Sequence, residues 1–309
     1  MVAADRRPVR FCGIELAHPV INGSGTFDAI AAHRAFGDAL LADFPFAAFV
    51  SKTVTLQPRQ GNPPPRLWEL PAGLMNSIGL PNKGLERYLA EDLPWLAARL
   101  PVPVIVNVMG FGREEVATLV EAFARRDEVA ALELNVSCPN VETGLIMGAD
   151  PGEITRLLER VRPLTDKPLI VKLTPNATDP GAVAEAAAAA GADALSLINT
   201  LVGTALDPRT GMPWLGGGTG GVSGPAVRAV ALAQVREVAQ RTGMPIVGMG
   251  GIQAGRHALD MLRAGATLVA VGTESFRDPH AAARIREELS ATAEAAGGAG
   301  SASGTGRGR

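Results

Sequence analysis

The stretch Leu169–Asn199, LIVKLTPNATDPGAVAEAAAAAGADALSLIN, reads as a strand, a helix and a second strand in succession. LIVKL (169–173) and ALSLI (194–198) are short apolar runs, the pattern of strands buried on both faces. Between them, the Ala-rich segment from Ala182 to Ala192 is interrupted by Glu185 and Gly191, so it suits an amphipathic helix rather than a bilayer span. A unit of this kind joins parallel strands, because a crossover helix must carry the chain back to the same edge.

The same alternation repeats outward in both directions. Strands are predicted near Pro19–Asn22, Ala47–Lys52, Val104–Met109, Ala131–Val136, Leu169–Leu173, Ala194–Ile198, Pro245–Gly248 and Leu268–Gly272. Helices are predicted near Ile30–Leu40, Leu85–Leu100, Glu114–Arg126, Pro151–Arg162, Asp179–Ala190, Ala226–Arg241, Ala254–Arg263 and Pro279–Ala295. Eight of each in strict alternation suit an α/β fold of the closed (β/α)8 barrel (TIM barrel) type better than an open doubly wound sheet. Roughly one domain per 150 residues would suggest two domains, but barrels use about 250 residues as a single unit. One barrel domain over residues 1–295 is therefore expected, followed by a small, polar, disordered tail at 296–309.

Composition narrows the function. Hydrophobic residues at 47% supply a large core, and 29 basic against 31 acidic residues give a net charge of −2. That balance provides no field for gripping a phosphate backbone, so nucleic acid is not expected as a partner. No signal peptide or membrane segment is apparent, which predicts a cytoplasmic protein. The two cysteines, Cys12 and Cys138, can build neither a disulfide framework nor an iron–sulfur cluster. His18, His33, His257 and His280 show no metal-ligand spacing, so no metal site is expected.

The predicted strands end in polar residues repeatedly. Asn22 and Ser24 follow the first, Lys52 ends the second, Asn107 the third and Asn135 the fourth, while Lys172 lies in the fifth and Asn199 ends the sixth. Two lysines and several amides converging on one mouth are costly to bury unless something hydrogen-bonds them, and a polar anionic ligand would. Two long connections, Thr53–Lys83 and Leu201–Pro225, would rise from the same C-terminal face as functional loops. Cys138, in the NVSCPN segment (135–140), reads either as a small buried hydrophobe or as a thiol base at the catalytic face. Cys12 reads as structural. Glycine turns at Gly216–Gly224, Gly248–Gly251 and Gly272-Thr273 are either plain tight turns or the phosphate site that barrels form after their last two strands. Neither a dinucleotide fingerprint nor a P-loop is present.

In family order, SKTVT (51–55), GNPPPR (61–66), NSIGLPN (76–82), NVSCPN (135–140), INT (198–200), GGVSGPA (220–226) and GMGGI (248–252) resemble dihydroorotate dehydrogenase. The resemblance implies a barrel with FMN at its mouth. It implies that Cys138 takes the C5 proton of dihydroorotate while hydride passes from C6 to the flavin. A cysteine at that position, with no membrane-binding extension, points to class 1. By the same resemblance the substrate-binding positions are Lys52, Asn76, Ser77, Ile78, Gly79, Leu80, Asn135, Asn199 and Thr200. The FMN-binding positions are Ser24, Lys52, Thr53, Asn107, Asn135, Lys172, Ile198, Gly224, Gly250, Gly251, Gly272 and Thr273.

Within class 1, residues 71–85 and 135–151 look most like the NAD-linked (class 1B) catalytic subunit, although ETGLIMG (142–148) departs from the family's more usual second glycine. That type is a homodimer core joined to a partner carrying FAD and a [2Fe–2S] cluster, a heterotetramer. The competing readings are a fumarate-linked class 1 homodimer, another FMN barrel such as a dihydropyrimidine dehydrogenase, and a redox-inactive phosphate-binding barrel.

Overall fold

A computed structural model describes residues 8–137 and 147–298. In chain order its strands are β1 (Val9–Phe11), β2 (Ile14–Leu16), β3 (Val20–Asn22), β4 (Phe49–Val50), β5 (Leu67–Leu70), β6 (Gly73–Asn76) and β7 (Val104–Val108). There follow β8 (Val129–Asn135), β9 (Leu169–Lys172), β10 (Ala194–Leu197), β11 (Leu201–Gly203), β12 (Gly220–Ser223), β13 (Ile246–Met249) and β14 (Leu268–Val271). Eight of them, in the order β3-β14-β13-β10-β9-β8-β7-β4, form the parallel sheet of a (β/α)8 barrel. All eight predicted strands are present in it.

The strands are apolar throughout because both faces are covered. Side chains alternate across each strand. Val104, Val106, Leu132, Leu134, Leu169 and Val171 pack outward beneath the helices. Ile105, Ala131, Ile170, Ala194 and Val247 fill the interior. Phe11 and Leu16 of the β1–β2 hairpin join that interior cluster, so the hairpin plugs the N-terminal end of the barrel. Sequence periodicity did not reveal this plug, because each of its strands is only three residues long.

Asn22 departs from expectation. It does not project into the mouth but is fully buried at the seam where β3 meets β4. Its Nδ2 donates to the Val50 carbonyl at 2.7 Å, and its Oδ1 accepts from the Val50 N–H at 2.8 Å. With Ala47 N–H donating to Val20 O at 2.9 Å, the side chain closes the barrel where the backbone ladder does not. Replacing Asn22 with leucine is expected to orphan both Val50 groups and cost about 2–4 kcal/mol. A fall in the urea midpoint measures that loss, and an unchanged midpoint would remove Asn22 from the closure.

Other departures are local. The predicted helix at Ile30–Leu40 is split at Gly37, whose φ is +67°, into Ala29–Phe36 and Ala39–Ala42. The helix predicted at Leu85–Leu100 contains a π turn at Tyr88–Asp92, just before Pro94, which has no N–H to offer the preceding turn. The last helix runs Ala281–Gly298, beyond the predicted end of the domain, and residues 299–309 lie outside the described residues. No described helix is long and apolar enough to cross a membrane.

The two long connections are not irregular. They pair as an antiparallel sheet in the order β11-β12-β6-β5 beside the C-terminal mouth. The strand β12 is GGVS, a poor strand by propensity. It forms because a Cβ at Gly220 would stand 2.6 Å from the Asn76 carbonyl, so only glycine lets β6 approach.

Candidate active site

A cavity of about 420 Å³ opens at the C-terminal ends of the barrel strands, the face on which barrel active sites sit. Each strand end contributes to its wall. Ser24 follows β3 and Lys52-Thr53 follow β4; Asn135 and Lys172 end β8 and β9; Ile198, Asn199 and Thr200 follow β10. The antiparallel sheet and its loops add Asn76, Ile78, Gly79, Leu80 and Gly224, while Gly250, Gly251, Gly272 and Thr273 follow β13 and β14. Residues as far apart in sequence as Ser24 and Thr273 are thus gathered at one mouth.

Two predicted residues do not line this cavity. Ser77 is buried beside it, accepting from Asn62 Nδ2 at 2.9 Å. Asn107 lies beneath the floor with no exposed surface. Cys138 lies outside the described residues, but both flanks of its loop are placed. Ser137 lines the cavity, and Gly148 N–H donates to Val136 O at 2.7 Å, pinning the loop's ends together. Gly148 permits that approach, since a Cβ there would meet Val136 Cγ2 at 2.7 Å. Ser137, Thr26, Ser223 and Gln253 line the wall without having been singled out from sequence. Ser137 was within reach, because it precedes Cys138.

The polar groups are held before any ligand arrives. Asn199 Nδ2 donates to Ser137 Oγ at 2.9 Å, and its Oδ1 accepts from Thr200 N–H at 2.8 Å. The end of β10 is thereby tied to the segment that leads into Cys138. Ser24 Oγ donates to Ser51 O at 2.8 Å, and Thr273 Oγ1 donates to Ser223 Oγ at 2.8 Å. Lys172 is only 7% exposed, and among the described residues it makes no ion pair. Lys52 faces the cavity; burial among its neighbours lowers its pKa from the ordinary lysine value, partly opposed by the Asp28 carboxylate. Neither lysine makes an ion pair among the described residues, so the two together make this an anion-receptive mouth.

One end of the cavity is backbone rather than side chain. Gly224, Gly250 and Gly251 have φ values of +86°, +130° and +70°. A Cβ at Gly251 would stand 2.9 Å from Gly224 O, and one at Gly250 would stand 2.6 Å from Ala231 Cβ. The helix Arg228–Thr242 starts just behind, after a short turn at Pro225–Val227. Close-packed glycines beside a helix start form a cradle of the kind that receives phosphate.

Elsewhere, Cys12 is half-buried, and burial together with the Asp193 carboxylate pushes its thiol up to about 11, which suits a structural role. Among the described residues no group of three or more His, Cys, Asp or Glu could hold a metal ion. A second cavity of about 220 Å³ lies on the other side of Ser51–Thr53, lined also by Tyr88 and Asp28.

Comparison with known proteins agrees over nearly the whole chain. The family model for dihydroorotate dehydrogenase matches residues 7–292. The catalytic subunit of dihydroorotate dehydrogenase B (NAD(+)) from Streptococcus pneumoniae serotype 4 is 44% identical over 292 residues, covering 93% of this chain and 92% of that protein. The proteins of the same name from Geotalea daltonii and Anoxybacillus flavithermus are 46% identical over 278 residues and 42% over 288. They cover 90% and 93% of this chain, and 90% and 91% of their own lengths. With a barrel whose mouth is anion-receptive and whose last strands end in a phosphate-type cradle, and a family match spanning that barrel from end to end, this chain belongs to the dihydroorotate dehydrogenase family.

Proposed function

We propose that this chain binds FMN in the cavity and oxidises dihydroorotate there with Cys138 as the base, electrons then passing to NAD+ through a partner subunit. Membership of the family makes the chain a flavin-dependent oxidoreductase that converts dihydroorotate to orotate in pyrimidine synthesis. The observation that carries the finer reading is the pairing of the glycine cradle with the two lysines in one cavity. The residues present fit FMN. Gly224, Gly250, Gly251, Gly272 and Thr273 would hold its phosphate by backbone. Ser24, Lys52, Thr53, Asn135, Lys172 and Ile198 would surround its ring system, with Asn107 beneath.

Bound FMN supplies the hydride acceptor. The chain's own residues do the rest. Lys52 and the amides of Asn76, Asn135 and Asn199 can donate to the carboxylate and ring carbonyls of the substrate, while amide oxygens accept from its ring N–H groups. Ser77–Leu80 and Thr200 complete the substrate wall. The Asn199–Ser137 hydrogen bond fixes the approach of the base-bearing loop. Cys138 as thiolate takes the proton from C5 as hydride leaves C6, giving the C5–C6 double bond of orotate.

The electron acceptor is inferred from the relatives, which are named as NAD(+)-linked catalytic subunits. This chain has no dinucleotide fingerprint and only Cys12 and Cys138, so FAD and a [2Fe–2S] cluster belong on a partner. A cytoplasmic heterotetramer built on a dimer of this chain is the assembly proposed.

The test is spectroscopic. The purified chain is expected to be yellow, with one FMN per chain, and anaerobic dihydroorotate should bleach it. NAD+ should restore the colour only after a flavin/iron–sulfur partner is added. A colourless active protein would defeat the FMN reading, and rapid recolouring by fumarate alone would defeat the NAD linkage.

A further inference from the structure

Beneath the cavity floor lies a polar layer that the proposed reaction leaves without a role. Alternation along β8 sends Ala131, Glu133 and Asn135 into the barrel, and since Asn135 lines the cavity, Glu133 sits one layer below it. Glu133 is 3% exposed, a carboxylate in the middle of a barrel. Its Oε1 accepts from Asn107 Nδ2 at 2.6 Å, and its Oε2 accepts from Ser196 Oγ at 2.8 Å. Asn107 stands directly opposite Glu133 in the β7–β8 register, and its backbone N–H donates to Ser51 Oγ at 3.0 Å. The remaining atom, Asn107 Oδ1, is buried and has no partner.

Both oxygens of Glu133 are used as acceptors, so Asn107 turns its NH2 towards Glu133 and its oxygen away. Without Glu133 the amide could sit either way round. A buried carboxylate is expensive to keep, and an orphaned amide oxygen beside it adds to that cost. An apolar pair at the same two positions would brace the strands without either penalty.

We propose that Glu133 is a positioning residue for the bound flavin: it fixes the amide of Asn107 so that an acceptor, never a donor, is offered to an N–H of the ligand above. The inference rests on the reading of Asn107 as a cofactor-binding residue. Glu133 itself touches nothing in the cavity. Ser196 serves only to satisfy its second oxygen.

The test uses the full chain stripped of flavin and titrated with FMN, following flavin fluorescence and visible absorption. Glu133→Gln can either donate to or accept from Asn107, so the amide loses its fixed orientation. FMN affinity should fall about tenfold, the worth of one hydrogen bond, and the flavin bands should shift. Asn107→Asp should also weaken binding, because two carboxylates then adjoin. The double variant Glu133→Gln/Asn107→Asp restores the polarity: the new amide donates to the new carboxylate, whose second oxygen stands where Asn107 Oδ1 stood. It should recover the wild-type spectrum and most of the affinity.

Ser196→Ala removes one bond of the network but leaves Asn107 fixed, so it should lower the melting temperature slightly and leave the spectrum alone. Wild-type spectrum and affinity in Glu133→Gln would overturn the proposal. So would a double variant no better than the single ones, or a Ser196→Ala that shifts the spectrum as much as Glu133→Gln, since a simple brace behaves that way. If the wild-type chain takes up no FMN, the cofactor reading fails instead, whatever Glu133 does.

Discussion

Gly272→Val should purify as a folded, nearly colourless protein, with FMN bound at least about 100-fold more weakly, or about 2.7 kcal/mol. Gly272 lines the cavity just after β14, and a Cβ built on it would meet only Thr26 Cγ2, at 3.7 Å. The protein therefore has room for the first added carbon, and what the side chain fills is ligand space. Gly250→Val is the contrasting case. Its backbone has φ +130°, and its Cβ would be forced to 2.6 Å from Ala231 Cβ, so that variant should lose stability as well as flavin. Equilibrium dialysis against FMN, beside thermal melts, separates the two. A Gly272→Val protein that keeps its flavin would move the phosphate site elsewhere.

Cys138→Ala should keep its FMN and lose about 10²–10⁴-fold in turnover, the usual worth of a general base. The residues proposed to surround the flavin lie at other strand ends, so colour and cofactor affinity should not change. Cys138→Ser should retain a small activity that grows with pH, because a hydroxyl gives up its proton far less readily than a thiol, whose ordinary pKa is about 8.5. Stopped-flow bleaching by dihydroorotate reads the chemical step directly, free of the later electron transfer. Reduction of the alanine variant at near the wild-type rate would take Cys138 out of the mechanism.

Much of the barrel was legible because its strands are buried on both faces. Runs such as LIVK and VIVNV are unmistakable in sequence, and the helices between them carry their own period. The polar residues at strand ends were equally visible, since Lys52, Asn135, Lys172 and Asn199 interrupt apolar runs. Which way such a residue turns was not visible. Asn22, Asn107 and Asn135 occupy similar places in their strands, yet only Asn135 reaches the cavity, while Asn22 closes the seam and Asn107 serves Glu133. Glu133 gives no signal in the sequence, because one acidic residue in ALELNV (131–136) carries no periodic pattern.

By itself the sequence determined the alternation of strands and helices, the family motifs, and the set of polar groups available at the C-terminal face. These depend on local periodicity and on residue type, both of which are written along the chain. Only the tertiary structure decided the antiparallel sheet beside the mouth, the hairpin plug, the side-chain closure of β3 on β4 and the buried Glu133–Asn107–Ser196 layer. Each of these is a contact between distant segments whose partners satisfy one another's hydrogen bonds or exclude one another's Cβ atoms. Glycines such as Gly220 look like breakers in sequence and become strand residues only when a neighbouring backbone leaves no room for anything larger.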